Sequence, residues 1–451
     1  IRDSQPSLAS SRSGRAPPQS RGRCAACLVA MPSVVFGWNV FLLVMGLMGF
    51  AGACVFARGF RRVEVDRTEV RLPRAVILMG LKGADPYLGE SLTRMMTLDY
   101  PDYELHIAID RRDDPAWQVA QQAVAETAST HVRIEEFAHD PADGPVNSTN
   151  SKVVQLARKL DDSFEFIAMS DGDNMPHPGW LTDLVGPMLD DSRVGATFGN
   201  RWFMPPVGRW GSLVRYIWNA MASVMMYLNT MPWGGCFAIR AELVRSCDLV
   251  AEWARVIALD AGTPGQLSRH GFQVRFVPQL MMVNREECSV PFCLNFARRQ
   301  LIWTRLYHPA FYQIVVQTLL GTVAVYGSLA LCLVALATAD WQSFGWAFGG
   351  ITVYAWWMFA TIMLLEFSVR RSIRAAGEEV AWLTPIKLWR IFWALIVAQT
   401  IQAMALLLSI FRRRVAWRGL VLEVNGPYDI RLLGEVAAAE APAQQEPLTS
   451  L

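Results

Sequence analysis

Four long apolar runs constrain this chain more than any other feature of its sequence. The first covers 34–56, and the others cover about 315–337, 344–365 and 391–411. Each is long enough to cross a bilayer as a helix, which takes roughly 20 apolar residues. The whole chain is 52% hydrophobic with 17 Trp, too apolar for an ordinary soluble protein. Residues 58–305 nevertheless have soluble composition, so we predict a globular domain between membrane segments.

This distribution divides the chain into five parts. The first is rich in Ser, Arg and Pro and has no apolar period, and Met31 is the expected functional start. A cleaved signal peptide is the alternative for the first apolar run, which is longer than the usual core of about 7–15 residues. The predicted parts are a disordered leader (1–30), a membrane helix (31–57), a globular cytoplasmic domain (58–305), a membrane region (306–428) and a disordered tail (429–451).

Basic residues predict the orientation of the domain. Six arginines follow the first apolar run, and the positive-inside rule places such a cluster in the cytoplasm; they are Arg58, Arg61, Arg62, Arg67, Arg71 and Arg74. A full crossing by the fourth run would put four more arginines outside, namely Arg412, Arg413, Arg414 and Arg418. We therefore expect 391–411, which carries Gln399 and Gln402, to be re-entrant or interfacial. A simple fourth span is the alternative.

Charge and cysteine content exclude several classes of protein. The formal net charge is +2, and no basic stretch interleaved with aromatic residues indicates nucleic-acid binding. The eight cysteines are scattered, and the close pair Cys24 and Cys27 has no second pair at metal-site spacing. The sequence thus predicts no zinc site and no disulfide framework, and it favours a reducing compartment.

The globular part alternates strand-like and helix-like segments, which indicates an α/β fold with a mainly parallel sheet covered on both faces. The predicted strands are 75–80, 104–110, 132–137, 164–171 and 194–199. The predicted helices are 88–98, 116–127, 152–160 and 179–189. Ligands of such sheets bind at the carboxyl ends of the strands.

Two carboxylates follow the fourth predicted strand. The strand ends in Asp171-Gly172-Asp173, and Asp110 ends the second strand, so the three acids can face one crevice. Hard oxygen ligands suit Mg²⁺ or Mn²⁺, and a metal so placed can hold the diphosphate of a nucleotide sugar. An ordinary Asp-Gly-Asp turn is the alternative.

From about 81 to 307 the chain resembles the ceramide glucosyltransferase family of inverting, membrane-bound glycosyltransferases. The matching segments are 81–86, 98–104, 110–116, 150–152, 170–173, 258–260 and 299–305. Their order and spacing match, as do the single amino-terminal helix and the carboxyl-terminal membrane cluster. The resemblance implies a GT-A nucleotide-diphosphosugar transferase domain with one amino-terminal and two to three carboxyl-terminal membrane helices.

The resemblance also implies residue roles. Asp260 resembles the general base, Trp303 the aromatic residue at the acceptor mouth, and Asp171 and Asp173 the metal-binding pair. Donor-binding roles are implied for Asp110 on the uracil and ribose side, Lys152 on phosphate, Asp171 and Arg299. Individually, such residues are also typical of turns, solvated surfaces or membrane anchors.

Two positions depart from the family pattern. The acid that precedes the base in many relatives is Leu259 here, and the Arg of the RxxRW element is Ile302. The first change removes polar surroundings and is expected to raise the pKa of the base. For the second, Arg298, Arg299 or Arg305, three or four residues away on a helix, could supply the missing charge. A changed donor or a weakened enzyme is the alternative.

The sequence therefore predicts an inverting transferase that moves a hexose, with glucose from UDP-glucose expected, to a hydroxyl of a membrane lipid such as ceramide. Divalent Mg²⁺ or Mn²⁺ is the expected cofactor. A processive polysaccharide synthase is one alternative, although such enzymes carry an intact QxxRW element and more membrane helices. A non-catalytic membrane scaffold is the other.

Overall fold

A computed structural model describes residues 25–60, 71–138, 140, 142, 144, 149–381, 383–417 and 420–435. Most of the expected disordered leader, the last sixteen residues of the expected tail, and Arg61, Arg62, Arg67 and Arg418 lie outside the described residues.

A seven-stranded sheet forms the centre of the globular domain. Its strand order is β3-β2-β1-β4-β6-β5-β7, with β6 antiparallel to β4 and β5 and the other pairs parallel. The strands are β1 Ala75–Leu81, β2 Tyr103–Ile109, β3 Val132–Glu136, β4 Phe166–Ser170, β5 Val194–Phe203, β6 Cys236–Arg240 and β7 Gln273–Asn284. The mainly parallel sheet and its first five strands are confirmed.

Helices cover both faces of this sheet, and each face carries its own apolar core. They are α2 Leu88–Met96, α3 Pro115–Thr127, α4 Thr149–Arg158, α5 Trp180–Asp190, α6 Trp210–Asn229, α7 Ala241–Ser246, α8 Leu249–Trp253, α9 Leu259–Arg269 and α10 Val290–Tyr307. The four predicted helices correspond to α2–α5. The strands β6 and β7 and the helices α6–α9 were not predicted, and α10 was expected only as the helix that carries Ile302.

Four further helices are long and apolar enough to cross a membrane. They are α1 Ala25–Gly59, α11 Phe311–Ala337, α12 Trp341–Ala375 and α13 Pro385–Phe411. Because α1 begins at Ala25, the prediction of disorder up to residue 30 is wrong for its last six residues. Within α12, the buried Glu366 accepts hydrogen bonds from Trp202 Nε1 at 2.7 Å and Tyr216 Oη at 2.9 Å. The end of α12 is thus anchored in the globular domain.

Helix α13 contacts the globular domain at both ends. Near its start, Lys387 Nζ donates to the carbonyl oxygen of Pro205 at 2.9 Å. At its end, Arg305 Nη1 of α10 donates to the carbonyl oxygen of Ile410 at 3.0 Å. The 27 residues between form one uninterrupted helix, about 40 Å long at 1.5 Å per residue. A re-entrant hairpin is therefore wrong, because its chain would have to reverse within this segment.

A small antiparallel sheet follows α13. It consists of β8 Arg414–Trp417, β9 Leu420–Gly426 and β10 Asp429–Glu435, in the order β10-β9-β8. Its apolar side chains pack on Ile257 and on Ile302 of α10, and they are Val415, Leu420, Leu422, Val424 and Ile430. Disorder from 429 is therefore wrong for β10, and the segment predicted as a membrane region ends in the strands β8 and β9. Alternation of apolar and polar residues, the period of a half-buried strand, is the signal that was overlooked.

Candidate active site

The acidic pair lies at the carboxyl edge of the large sheet, directly after β4. Gly172 between the two acids packs so closely that a Cβ atom there would lie 2.8 Å from Leu81 Cδ2. Asn174 closes the turn, because its Nδ2 donates to Ser170 Oγ at 3.0 Å and to the carbonyl oxygen of Gly235. The turn that carries Asp171 and Asp173 is thus joined to the segment that precedes β6.

Two adjacent glycines bring the acidic pair and the predicted base together. The backbone N–H of Gly234 donates to Asp260 Oδ2 at 2.7 Å. A Cβ atom on Gly235 would lie 2.6 Å from Asp171 Oδ2. The loop before β6 therefore touches both carboxylates, and only residues without a side chain allow this approach.

Asp260 is the second residue of α9, where the helix dipole favours a carboxylate. Its Oδ1 accepts a hydrogen bond from the backbone N–H of Ala261 at 2.9 Å. Burial raises the pKa of Asp260, while the N–H groups of Gly234 and Ala261 and the charge of Arg201 act in the opposite direction. A carboxylate with a raised pKa is a better proton acceptor than a solvated one.

Arg201 on β5 contacts both members of the acidic pair. Its Nη1 lies 3.3 Å from Asp173 Oδ2, and its Nη2 lies 3.5 Å from Asp171 Oδ2. The guanidinium carbon sits 4.0 Å from the centroid of the Trp233 ring. Sequence reasoning missed this residue. The available signal was a single Arg within the otherwise uncharged strand 194–203.

A second ion pair lies behind the acidic pair. Asn284 Nδ2 donates to Asp173 Oδ2 at 3.4 Å. Arg215 Nη2 donates to the carbonyl oxygen of Glu286 at 2.6 Å, and Nη1 lies 3.6 Å from Glu286 Oε2. Burial and the negative charge of Asp173 raise the pKa of Glu286, and Arg215 opposes them. These residues were also missed.

Asp110 lies two strands away from the acidic pair, directly after β2. Strands β2, β1 and β4 are neighbours, so the separation is about 10 Å at 4.8 Å per strand. Lys82 Nζ lies 3.1 Å from Asp110 Oδ2, and the buried Lys152 forms an ion pair with Asp110 Oδ1. The structure thus places Lys152 beside Asp110.

The acidic pair offers the ligands of a metal site that the substrate completes. In the described part of the chain, no group of three or more His, Cys, Asp or Glu side chains could hold a metal ion. Mg²⁺ and similar ions are commonly held by one or two carboxylates together with substrate phosphates and water. Asp171 Oδ2 and Asp173 Oδ2 both face the guanidinium of Arg201, so they converge on one cation. The residues therefore fit a divalent ion shared with a diphosphate.

Helix α10 presents two different faces. Gln300, Trp303 and Thr304 line a cavity next to Asp260. Ile302 is 1% exposed and packs under the small sheet, and Trp303 also packs partly against that cluster. The ring of Phe296 lies 6.0 Å from the guanidinium of Arg299.

The other two arginines that were considered to replace the missing family charge lie near the end of α13. Burial and the neighbouring Arg412 lower the pKa of Arg298, and burial and Arg413 lower that of Arg305. Arg305 also binds the carbonyl oxygen of Ile410. Their described contacts therefore lie away from the acidic pair.

A large apolar cavity of about 960 Å³ begins at the predicted base. Its walls include Asp260, Arg201 and Trp303 together with residues of α1, α6, α11, α12 and α13. The residues contributed by the membrane helices are mainly apolar, such as Met48 and Leu320.

Comparison with known proteins decides the family. Residues 40–428 match the model of Glycosyl transferase family 21, the ceramide glucosyltransferase family. The chain belongs to this family. It is therefore a glycosyltransferase of the class that uses nucleotide sugars, and the domain has the predicted GT-A fold.

Solved structures with related folds share little sequence with this family 21 chain. A mannosyltransferase from Pyrobaculum calidifontis, solved with GDP-Man and Mn²⁺, is 14% identical, with a TM-score of 0.45; the match covers 83% of this chain and 99% of that one. The glucosyl-3-phosphoglycerate synthase of Mycobacterium tuberculosis, solved with Mn²⁺ and UDP-Glc, is 15% identical, with a TM-score of 0.34; the match covers 54% and 84%.

Proposed function

We propose that this protein transfers a hexose, with inversion, from a nucleotide diphosphate sugar to a hydroxyl group of a membrane lipid. UDP-glucose is the expected donor, and ceramide or a related lipid is the expected acceptor. The observation that carries the proposal is the cavity that joins Asp260 to the membrane helices. A water-soluble acceptor would gain little from the mainly apolar walls of this cavity.

The size and lining of the cavity suit a lipid. Its volume of about 960 Å³ lies at the upper end of the roughly 300–1,000 Å³ that is usual for ligand pockets. Burying apolar chains there stabilises the complex by about 0.8 kcal/mol per CH₂ group. A polar cluster lies among the apolar walls, where Gln402 Oε1 accepts from Trp218 Nε1 at 2.6 Å and its Nε2 donates to Thr318 Oγ1 at 2.8 Å.

The proposed reaction is a single displacement. Asp260 accepts the proton of the acceptor hydroxyl as that oxygen attacks the anomeric carbon of the sugar. The bond from this carbon to the diphosphate oxygen breaks, and its electron pair leaves with the nucleoside diphosphate. A divalent ion held by Asp171 and Asp173 would supply Lewis-acid stabilisation of the leaving diphosphate.

Donor binding is proposed to extend along the carboxyl edge of the sheet. Asp110 is assigned to the uracil and ribose side, about 10 Å from the acidic pair by strand spacing. Lys152 is paired with Asp110, so we assign it to the neighbouring phosphate side together with Arg299. Trp303, which lines the cavity with Asp260, is assigned to the acceptor.

We further propose that the catalytic domain is cytoplasmic and that α13 lies along it at the membrane surface without crossing. Both ends of α13 contact the domain, through Lys387 with Pro205 and through Ile410 with Arg305. Labels placed near Gly89 and near Gly426 should then both react from the cytoplasmic side. A label near Gly426 that reacts only from outside would demonstrate a fourth crossing.

The acceptor class can be tested with labelled UDP-glucose. Purified protein would receive either ceramide-containing liposomes or water-soluble oligosaccharides, and label should appear only in lipid. Label recovered only in oligosaccharide would reject the lipid acceptor and favour the polysaccharide synthase. No turnover or hydrolysis of any nucleotide sugar would favour the scaffold.

A variant that obstructs the cavity provides a second test of the lipid acceptor. Ala222→Trp, within the cavity wall, should raise the KM for lipid about tenfold, as expected from loss of roughly two buried CH₂ groups. Hydrolysis of donor in the absence of lipid should remain. Gly349→Trp is the matched control, because Gly349 is exposed on α12 and a Cβ atom there meets nothing within 4 Å.

A further inference from the structure

The guanidinium of Arg201 is held by long contacts with the acidic pair together with neighbours outside it. Its distances of 3.3 and 3.5 Å to the two carboxylates exceed the 2.7–2.9 Å or so of a close charge-assisted hydrogen bond. Trp233 lies beneath it at 4.0 Å. Asn219 Nδ2 donates to the carbonyl oxygen of Arg201 at 2.7 Å and fixes this part of β5. The side chain is 15% exposed, so a ligand can still reach it.

Arg201 also lies between the predicted base, Asp260, and the acidic pair. It lines the same cavity as Asp260, and its charge acts on the Asp260 carboxyl group. On its other side are Asp171 and Asp173. A cation in this position is close both to the expected metal ligands and to the expected base, where the bond between sugar and diphosphate has to break.

The sequence lacks the positive charge that the Arg of the family RxxRW element would supply. Ile302 replaces the expected Arg, and its side chain is buried under the small sheet. Arg305 of α10 donates to the carbonyl oxygen of Ile410 at the end of α13, and the charges of Arg412 and Arg413 lower the pKa of Arg298 and of Arg305 respectively. Arg299 of α10 is assigned with Lys152 to the phosphate side near Asp110, and Arg201 of β5 places a further positive charge directly beside the acidic pair.

We propose that Arg201 binds the diphosphate of the donor and stabilises the charge that develops on it as the sugar leaves. This inference rests on the proposed transferase function. A guanidinium presents a planar fork of N–H donors that matches phosphate oxygens. In the displacement, the electron pair of the broken bond goes to the diphosphate oxygen, and Arg201 neutralises that oxygen without transferring a proton.

Equilibrium binding to the purified full-length protein tests the proposal without relying on turnover. UDP and uridine would each be titrated, with Mg²⁺ and with EDTA, against wild type, Arg201→Gln, Arg201→Lys and Arg193→Gln. Arg193 is a matched control, since it precedes β5 and pairs with Asp191 at the opposite end of the strand. Loss of a charged hydrogen bond predicts that Arg201→Gln binds UDP about 10- to 100-fold more weakly. Uridine affinity should stay unchanged.

The lysine variant separates charge from geometry. Arg201→Lys keeps the charge and loses the fork, so its UDP affinity should lie between those of wild type and Arg201→Gln, and it keeps the test valid if the glutamine variant fails to fold. UDP affinity within twofold of wild type in both variants would overturn the proposal. Tighter binding of UDP with Mg²⁺ by Arg201→Gln would also overturn it, because Arg201 would then be a counter-ion that the metal displaces. A wild type that binds no nucleoside diphosphate would instead remove the proposed function itself.

Discussion

The carboxyl edge of the large sheet differs from the face of α10 that carries Ile302, although both carry family motifs that were expected to bind the sugar donor. At the sheet edge, Arg201 lies within 3.5 Å of both Asp171 and Asp173 and forms an ion pair with each. On the face of α10 that carries Ile302, an apolar cluster formed with the small sheet excludes charge. Charge is thus retained where a side chain can reach the donor, and apolar residues are found where a second sheet covers the helix.

Removing the proposed base should produce the largest effect on activity at the sheet edge. Asp260→Asn keeps the shape of the side chain but cannot accept a proton, so transfer should fall by about 10²- to 10⁴-fold. The affinity for UDP should stay within a few-fold of wild type, because the amide keeps the size of the carboxylate and loses only one of the two hydrogen bonds from the N–H groups of Gly234 and Ala261. Steady-state transfer and UDP titration on the same preparation would measure both. Turnover near the wild-type rate would exclude Asp260 as the base.

Removing either member of the acidic pair should have the next largest effect. Asp171→Ala and Asp173→Ala are each expected to lower transfer by about 10²- to 10³-fold, the range for loss of one electrostatic stabiliser of a transition state. Both variants should also lose the response to added Mg²⁺ or Mn²⁺. Asp191→Ala, at the other end of the sheet, is the control. A wild-type enzyme that keeps its activity after thorough chelation would contradict the metal assignment.

Restoring the family arginine on α10 should affect stability instead of donor binding. Ile302 is 1% exposed and surrounded by the small sheet, so Ile302→Arg places an unpaired charge in an apolar core. We expect a loss of about 2–4 kcal/mol in the free energy of unfolding, measured by chemical denaturation in detergent. Ile302→Val should cost only about 1 kcal/mol. A stable Ile302→Arg variant with tighter UDP binding would remove the contrast between the two regions.

Sequence reasoning worked best where short segments determine structure. The alternation of 75–80, 104–110 and 164–171 with helical segments predicted the parallel strands and the sheet edge on which Asp110 and Asp171 lie. It could not predict that Arg201 reaches this edge, because β5 reaches the acidic pair only through the unpredicted antiparallel β6. The Gly234-Gly235 pair could be recognised in the sequence, but its contacts with Asp171 and Asp260 depend on three separate elements.

The cavity and the small sheet were beyond local prediction for a different reason. Helices from distant parts of the chain form the cavity walls, among them α1, α6, α10 and α13, and each of the four long apolar helices is only an apolar run in the sequence. Sequence therefore predicted membrane segments and could not predict the space between them. The small sheet has strands of four to seven residues, and its burial depends on Ile257 and Ile302, more than 100 residues away in the chain.

The smallest predicted effect is a shift in pH dependence that connects Arg201 to the base. Burial raises the pKa of Asp260, and a general base works only when deprotonated. The acid limb of kcat/KM should therefore lie above the ordinary Asp pKa of about 3.9. The charge of Arg201 lowers the pKa of Asp260, so Arg201→Gln should move the acid limb to higher pH, whereas Arg201→Lys should leave it nearly in place. Profiles of kcat/KM for UDP-glucose at saturating lipid would measure the shift. An acid limb that stays at the same pH in both variants would show that Arg201 does not act on the base, and the sheet edge would then be two independent sites.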